Sequence, residues 1–331
     1  MKSLNEGIDQ ISERLIAYLR DEFNDSMIDY DSPLTQLQGG FETYIYRFKL
    51  NGVQKELAKP LILRLYPQFY GTRNAIWEST VQNVLAGEGY PVAQAYFTCT
   101  DMSILGGAFF IMDFLPGKPM IMAPIETIPE VLGKTHAALH SIEPEPLIKS
   151  LSEQGIDKNT CRLSNRFDWL KDRASKLPWI RDGVDWLIKN RPPEPERLAV
   201  CHGDFHPLNI LIQDGKITGV LDWSNFLIAD PALDIANTIV VTTIPSKHLA
   251  STVEQDFSSV DWEMAAELYL DAYRSQRLSD STHLDYYRVM RSVNALIQGF
   301  EGQKVWQHPL IVKDLIEYIH KIAGIRITMP D

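Results

Sequence analysis

The chain has 331 residues, which is long enough for two domains or for one domain of two lobes. Apolar residues make up 45% and charged residues 23%, an ordinary globular composition that excludes a disordered chain. The net charge of −11 argues against a nucleic-acid partner, since binding a phosphate backbone requires a basic face, and it is compatible with a cationic substrate.

Cysteine content and hydropathy set two further limits. The three cysteines are too few and too scattered for a disulfide framework or a four-ligand zinc site, so we expect reduced, structural thiols. No apolar run approaches the roughly 18–20 residues that span a bilayer. The N-terminal segment carries acidic residues and lacks an apolar signal region. We therefore predict a cytoplasmic protein with no membrane partner.

The first third of the chain alternates between strand and helix patterns. Apolar residues at every second position predict a strand that ends at Asn51-Gly52, a typical two-residue hairpin turn. The predicted elements are a helix over 4–23, strands over 44–50 and 61–65, a helix over 75–85, and strands over 94–100 and 108–114. Together they indicate a small antiparallel sheet that carries helices.

Helical patterns dominate after Pro119. The exception is a compact strand–loop–strand region over 198–223, which contains the densest group of polar residues. Helices are predicted over 128–140, 262–274, 283–300 and 310–323. A β-rich first third followed by a helical remainder predicts an α+β fold.

The most informative segment, residues 201–223, reads CHGDFHPLNILIQDGKITGVLDW. Asp204 stands five positions before Asn209, and Asp222 stands thirteen positions after Asn209. Phosphoryl transfer needs a carboxylate that orients the acceptor hydroxyl and hard oxygen ligands for Mg²⁺ at the nucleotide phosphates. Protein kinases space one Asp and one Asn in the same way before a second metal-binding Asp, although here that Asp lies in Leu-Asp-Trp rather than Asp-Phe-Gly.

This segment, with the later stretch ADPALDIA at residues 229–236, resembles the aminoglycoside phosphotransferase family, which includes choline-kinase-like and other small-molecule kinases. The resemblance implies a protein-kinase-like two-lobed fold, with an N-terminal nucleotide-binding lobe over 1–115, a hinge at about 111–118, and a C-terminal catalytic and substrate-binding lobe over 116–331. It also implies transfer of the γ-phosphoryl group of ATP or GTP, with Mg²⁺, to a hydroxyl of a small molecule.

The resemblance assigns roles to individual residues. Asp204 and His202 belong to the catalytic group, Asp204 as the base and His202 as a support of the loop together with Asp234. Asn209 and Asp222 are implied as magnesium ligands.

The nucleotide end is expected in the first third of the chain. Gly39 and Gly40 open a strand, so their backbone could approach phosphates, and the Thr43 hydroxyl could donate to them. On the return strand, Arg64 is the expected phosphate-binding cation, with Lys59 as a rival. Glu78 in the following helix is its expected ion-pair partner. The segment Met112, Asp113 and Phe114 resembles the family's hinge, where backbone groups would bind the base.

The acceptor end carries a weaker signal. Acidic residues of the C-terminal helices could build a negative pocket for an amine-bearing acceptor, or they could simply be solvated helix faces: Asp261, Glu263, Glu267, Asp271, Asp285 and Glu301. Short segments at 89–92, 105–107 and 285–288 resemble a branch of the family that is fused or adjacent to acyl-CoA dehydrogenases, whose acceptors include hydroxyacyl compounds.

Two other functions are compatible with parts of this pattern. His202, Asp204 and His206 alternate, and they could be metal ligands of a metallohydrolase, although no second cluster in the sequence completes such a site. The chain could also be a non-catalytic nucleotide or metabolite sensor that keeps the kinase fold.

Overall fold

The computed structural model describes residues 7–37, 43–193, 195, 197–248, 257, 259–277 and 282–329. The helices are α1 (Ile8–Glu22), α2 (Arg73–Gly87), α3 (Met102–Leu105), α4 (Ile128–His140), α5 (Glu145–Glu153), α6 (Ser164–Lys176), α7 (Arg181–Lys189), α8 (Pro231–Thr243), α9 (Trp262–Gln276), α10 (Leu284–Phe300) and α11 (Pro309–Ala323). The strands are β1 (Asp29–Gln36), β2 (Tyr44–Asn51), β3 (Pro60–Leu65), β4 (Ala95–Cys99), β5 (Phe109–Asp113), β6 (Lys118–Pro119), β7 (Ala199–Cys201), β8 (Ile210–Gln213), β9 (Lys216–Val220) and β10 (Leu227–Ala229).

The chain divides into two compact units that interleave in sequence. The first unit comprises Met1–Gly117, Pro146–Ile156 and Gln213–Ser224. The second comprises Lys118–Glu145, Asp157–Ile212 and Asn225–Asp331.

The first unit is built on a five-stranded antiparallel sheet of order β1-β2-β3-β5-β4. Helix α1 buries Ile11, Leu15 and Leu19, whose spacing puts them on one helix face, in the same core as Phe48 and Phe109. Burying such side chains contributes about 1.5–3 kcal/mol each before conformational entropy is subtracted.

Two features of this sheet differ from the sequence-based prediction. Strand β1 was not predicted, because its sequence is polar and contains Pro33. The strand lies at the edge of the sheet, where a proline is tolerated. The two-residue hairpin at Asn51-Gly52 was also wrong, since β3 begins only at Pro60. Gly52 instead has φ +73°, and a Cβ there would lie 2.7 Å from the Met27 carbonyl oxygen. The glycine thus lets the backbone at Gly52 pass close to the backbone at Met27, and it does not form a two-residue hairpin.

The second unit is mainly helical. Helix α4 packs on α9, and α10 packs on both α8 and α11. Gly133 explains the close approach of α4 and α9, because a Cβ at this position would overlap the Tyr269 carbonyl oxygen. A short antiparallel pair, β7 with β10, leads into the loop that carries Asp204.

A β-rich N-terminal part followed by helices is the α+β organisation that the sequence predicts. None of the helices within the described ranges has the length and apolarity needed to cross a membrane.

Candidate active site

The loop after β7 has a backbone course that only glycine allows at its second residue. Gly203 has φ +82°, and a Cβ there would overlap the Asn225 carbonyl oxygen. The Asp204 amide donates to Nδ1 of His202, at 3.2 Å, so the buried imidazole fixes the peptide that carries Asp204. His202 therefore lies where it can support the loop, and its ring is shielded from solvent.

Asp234 at the start of α8 anchors the same loop from the other side. Its carboxylate accepts hydrogen bonds from the amides of His202, at 2.5 Å, and Gly203, at 2.9 Å. Thr238, one turn further along α8, donates its hydroxyl to the Phe205 carbonyl at 2.8 Å. Charge-assisted bonds to backbone amides are stronger than neutral ones, so α8 holds this loop firmly.

Two histidines on one face of α4 complete the environment of Asp234. Nε2 of His136 lies 3.0 Å and Nε2 of His140 lies 3.3 Å from Oδ2 of Asp234. On the far side of each ring, Nδ1 contacts a tyrosine hydroxyl of α9, Tyr269 at 2.7 Å and Tyr273 at 2.8 Å. The carboxylate and both rings are fully buried.

Burial determines the protonation of this cluster. It lowers the pKa of His136, and it lowers the pKa of His140 to about 4, so both rings are neutral near pH 7. Burial also opposes ionisation of Asp234, but its interactions with the two histidines outweigh that effect and hold its pKa well below the usual range. Each Nε2–H then donates to Asp234, and each Nδ1 accepts from a tyrosine.

The Asn209 side chain bonds to the Asp204 main chain within this loop. Nδ2 of Asn209 donates to the Asp204 main-chain carbonyl at 3.0 Å, which commits the amide nitrogen and leaves Oδ1 as the atom able to bind a hard cation. Burial raises the pKa of Asp204, but His206, whose Nε2 lies 3.4 Å from its Oδ2, and the charge of Arg291 outweigh burial and lower that pKa. Asp204 is therefore an ionised, half-buried carboxylate.

The metallohydrolase alternative finds no support in this geometry. His202 uses its Nδ1 to accept from the Asp204 amide. Among the described residues, the group that brings three potential metal ligands together is His136, His140 and Asp234, not the alternating residues of the loop.

In the first unit, Arg64 on β3 bridges two carboxylates. Its Nη2 lies 3.2 Å from Oε2 of Glu78 on α2 and 3.3 Å from Oδ1 of Asp222. Burial alone would lower the pKa of Arg64, but the charges of Glu78, Tyr66 and Asp222 outweigh it, and the pKa rises above its ordinary value. The predicted Arg64–Glu78 pair is thus present in the structure.

Asp222 follows β9 in a conformation that favours a polar turn residue. Its φ is +62°, a left-handed value that is uncommon outside glycine and is tolerated best by Asp and Asn. The Ser224 hydroxyl donates to Oδ1 at 2.8 Å, and the neighbouring Trp223 is fully buried against Tyr90. The side chain of Asp222 nevertheless stays 43% exposed. A strained backbone that presents an accessible carboxylate is typical of ligand sites.

Lys59, the rival cation, lies elsewhere. Its Nζ pairs with Oδ1 of Asp113 at 2.7 Å, and the Tyr96 hydroxyl donates to the same oxygen. The Asp113 amide donates to the Gln94 carbonyl and the Phe114 amide to the Pro60 carbonyl. A nucleotide base bound at the predicted hinge would need another donor in this segment, because these two amides are occupied; Met112 is likewise a paired residue of β5.

The predicted phosphate loop is described only at its end. Gly39 and Gly40 lie outside the described residues. Thr43 is buried, and its Oγ1 has no hydrogen-bond partner within the described ranges. A buried hydroxyl without a partner is costly, which makes this atom a candidate donor to a bound ligand.

The acidic residues considered for the acceptor site lie on exposed helix faces. Asp271 and Asp285 each pair with an arginine one turn away on the same helix, and Asp261 caps α9 through the amides of Glu263 and Met264. Glu267 is exposed as well, and Glu301, just after α10, forms an ion pair with Arg173 of α6. These contacts favour the solvated-face interpretation.

Sequence reasoning missed several residues that the structure brings to these two clusters. Ser224, which holds Asp222, stands only two positions further along the chain. His136 and His140 are four residues apart on a predicted helix, and this spacing places both on one face. Tyr269 and Tyr273 share that spacing, but their pairing with the histidines depends on the packing of α4 on α9.

Comparison with known proteins shows which family this chain resembles. The model of the phosphotransferase enzyme family (APH) matches residues 33–268. Acyl-CoA dehydrogenase family member 11 of Pongo abelii is 27% identical over 259 residues, which cover 72% of this chain and 31% of that protein. Most of the length of this relative therefore lies outside the match.

Solved structures share the fold at low identity. Macrolide 2'-phosphotransferase MphH from Brachybacterium faecium superposes with a TM-score of 0.60 and 17% identity, covering 96% of this chain and all of that chain, at 100%. A mutant of aminoglycoside phosphotransferase APH(4)-Ia, in a ternary complex with AMP-PNP and hygromycin B, gives a TM-score of 0.60 and 16% identity, covering 94% and 99%.

These likenesses confirm the predicted fold class, a β-rich N-terminal part with a helical C-terminal part of the kinase-like type. Because the family model covers most of the sequence, the predicted resemblance is confirmed as well, and the chain belongs to the APH phosphotransferase enzyme family.

Proposed function

We propose that this protein transfers the γ-phosphoryl group of ATP or GTP, with Mg²⁺, to a hydroxyl of a small molecule. Family membership supports a kinase-type enzyme. The cofactor, the acceptor and the residue roles are the finer parts of this proposal.

The observation that carries the proposal is the position of Arg64 between Glu78 and Asp222. Glu78 is 1% exposed, so its carboxylate is shielded from solvent and its charge holds the guanidinium in place. A fixed, permanently charged fork of N–H donors suits phosphate oxygens. In this proposal Arg64 binds the nucleotide phosphates, and Gly39, Gly40 and Thr43 donate to them.

In this proposal Asn209 and Asp222 are the magnesium ligands, and the chemistry of their donor atoms suits a divalent cation. Asp222 offers an accessible carboxylate, and Asn209 offers an amide oxygen whose partner nitrogen is already bonded. These are the hard oxygen ligands that Mg²⁺ prefers. When bound, the metal would neutralise charge on the phosphate oxygens.

Asp204 is proposed as the catalytic base. Its lowered pKa keeps it ionised, so it can accept a hydrogen bond from the acceptor hydroxyl and orient that oxygen toward the phosphoryl group. It takes the proton late in the transfer. His202 and Asp234 act as positioning residues, since both bond to the loop backbone.

The identity of the hydroxyl acceptor is the part of the proposed function that the observations constrain least. APH(4)-Ia was crystallised with hygromycin B, and the Pongo abelii relative carries the name of an acyl-CoA dehydrogenase family member. We therefore propose a screen that spans aminoglycosides, macrolides, choline, amino alcohols, sugars and hydroxyacyl-CoA esters.

The test measures ADP formation by the wild type and by Asp204→Asn across this screen, with and without Mg²⁺. We expect at least one acceptor to stimulate ADP release, and the variant to lose about 10²–10⁴-fold in kcat with its thermal midpoint retained. Turnover near the wild-type value in the variant would contradict the assignment of Asp204. Nucleotide binding without ADP from any acceptor would favour a non-catalytic sensor instead.

A further inference from the structure

The second unit contains a pocket to which the proposed reaction assigns no role. Its walls come from the start of α6, the connection between α7 and β7, the end of β10 and the start of α10. It encloses about 440 Å³ of empty space, part of which is open to solvent, and this size suits a small organic ligand. We call it the rear pocket, and the residues that give it its chemistry are Arg162, Phe167, Arg191, Asp230, Tyr286 and Tyr287.

Flat apolar side chains form much of the pocket wall. Phe167 of α6 is 4% exposed, and the buried rings of Tyr286 and Tyr287 on α10 have centroids 5.2 Å apart. The Tyr286 hydroxyl donates to the Leu187 carbonyl at 2.9 Å, so its polar end is already satisfied. Prolines at positions 192, 193 and 195 add a stiff backbone without N–H donors. These walls favour contact with the faces and edges of a planar ring.

Two arginines supply positive charge to the same pocket. The guanidinium carbon of Arg191 lies 4.4 Å from the centroid of the Phe167 ring. This contact places one face of the guanidinium on the ring, which leaves the N–H groups at its edge to donate to a ligand. The backbone of Arg162 is bridged to that of Ile228, so this arginine is fixed beside β10.

Asp230 is the one acid among the described residues of the pocket lining, and the fold already uses its carboxylate. Oδ1 accepts from the Ala232 amide at 2.9 Å and so caps α8, and Oδ2 lies 3.4 Å from Nδ1 of His283. The side chain is buried. Two arginines less one aspartate leave a single net positive charge in the described lining.

This combination suits an aromatic carboxylate. A planar fork of N–H donors matches the two oxygens of a carboxylate, and the aromatic walls match a ring attached to it. A phosphate monoester carries about 1.5 to 2 negative charges near pH 7, so a singly charged head group is closer to the charge of the lining.

The rear pocket adjoins the supports of the loop that carries Asp204. Ala229 and Asp230 line it at the end of β10, whereas the loop begins after Cys201, at the other end of the β7–β10 pair. Asp230 caps α8, and α8 carries Asp234, whose carboxylate binds the amides of the loop. A ligand held between α6, α10 and the end of β10 therefore contacts both elements that position this loop.

We propose that the rear pocket is a second ligand site, in which Arg162 and Arg191 bind the carboxylate of an aromatic acid while the aromatic walls contact its ring. The bound acid restrains the loop that carries Asp204 through β10 and α8, and it acts as an effector rather than as the hydroxyl acceptor. This inference goes beyond the proposed function and does not depend on it, because binding and loop restraint are both measured without turnover.

Calorimetric titration with 2-naphthoate tests the site. This probe has no hydroxyl and so cannot accept a phosphoryl group. We expect Arg191→Gln and Arg162→Gln to bind it about tenfold more weakly or worse, as for the loss of a hydrogen bond to a charged group. Arg197→Gln, which alters an exposed arginine of the same connection outside the lining, should match wild type. A Kd for wild type weaker than about 1 mM, or equal affinity in all four proteins, overturns the site.

Two uncomplicated probes check the ligand chemistry. 2-Naphthamide keeps the ring without the charge, and acetate keeps the charge without the ring, so each should bind wild type at least about tenfold more weakly than 2-naphthoate. Equal or tighter binding of either probe would contradict the assignment to aromatic carboxylates.

The thermal midpoint separates ligand binding from a structural role. Arg191 is exposed, so Arg191→Gln should keep the wild-type midpoint, and Arg191→Lys should keep part of the affinity because it keeps the charge. A loss of affinity confined to variants whose midpoint falls would assign the arginines to the fold and overturn the proposal.

Hydrogen exchange of the loop amides tests the effector role. With saturating 2-naphthoate, the amides of His202 and Gly203 should exchange at least about twofold more slowly in wild type, and at an unchanged rate in Arg191→Gln at the same probe concentration. Binding of the probe with unchanged exchange at these amides would overturn the restraint of the loop.

Discussion

Two buried clusters of acidic and basic side chains occupy the two units, and they differ in one decisive respect. In the first unit, Arg64 joins Glu78 to Asp222, whose side chain is 43% exposed. In the second, Asp234 accepts from histidines that tyrosines close off from solvent. The first cluster contains the permanently charged guanidinium of Arg64 and an accessible carboxylate, so we call it the open cluster. The second contains neutral histidine rings and is shielded from solvent, so we call it the closed cluster.

The difference teaches how to separate a ligand site from a scaffold. Both clusters contain an aspartate beside basic groups. In the closed cluster each hydrogen-bonding atom is used by the protein itself, which stabilises one conformation of the loop. In the open cluster Asp222 has a left-handed backbone, with φ +62°, and such strain is typical of ligand sites.

Matched substitutions of the two aspartates should give the largest contrast. Asp234→Asn places an NH₂ group against N–H donors, and we expect the free energy of unfolding to fall by about 2–4 kcal/mol. Asp222→Asn keeps a residue that tolerates the left-handed backbone, so its unfolding free energy should change by less than about 1 kcal/mol. Its affinity for nucleotide in Mg²⁺ should fall at least about tenfold. Urea denaturation measures the unfolding free energies, and nucleotide titration measures the affinity. Equal losses of stability in the two variants would contradict the distinction between the two clusters.

Acid should destabilise the closed cluster. Folded His140 takes up a proton only near pH 4, whereas the unfolded chain does so near pH 6.5. Between these values the unfolded state holds more protons, so stability falls as the pH drops, by on the order of 3 kcal/mol across the window. In the open cluster Arg64 stays charged throughout this window, because the neighbouring charges raise its pKa.

Unfolding free energies measured from pH 7 to pH 4.5 test this point. His140→Gln should flatten the dependence on pH, and His248→Gln, in which the lost ring contacts Asp314, serves as the control. The same slope in wild type and His140→Gln would show that the buried pair does not govern acid stability.

Arg64→Lys sharpens the description of the open cluster. Lysine keeps the charge but loses the planar set of N–H donors, of which Nη2 contacts both Glu78 and Asp222. The KM for the nucleotide should therefore rise about tenfold with little loss of stability. Arg274→Lys, on an exposed helix face, is the matched control. A lysine variant with unchanged KM would argue that charge alone suffices.

The smallest effect is expected at Thr43. Its buried hydroxyl has no partner among the described residues, so Thr43→Val should leave stability within about 0.5 kcal/mol or increase it. Nucleotide affinity should fall by about two- to tenfold. A clear loss of stability with unchanged affinity would assign the hydroxyl to the fold instead.

Most elements could be predicted because their patterns are local. Helix α4 spans the predicted residues 128–140, and the predicted strands over 61–65 and 108–114 correspond to β3 and β5. The edge strand β1 escaped prediction, since pairing with β2 rather than an alternation of apolar residues defines it. The two-residue hairpin predicted at Asn51-Gly52 was wrong, because Gly52 is needed for a close contact with Met27.

The sequence by itself determined the spacing of Asp204, Asn209 and Asp222 and the pairing candidates Arg64 and Glu78, because chemistry fixes which residue types such a site requires. Only the tertiary structure decided that His136 and His140 belong with Asp234. Those relations join helices far apart in the chain. Charge, burial and hydrogen bonding depend on the neighbours that packing supplies, and no local pattern specifies them.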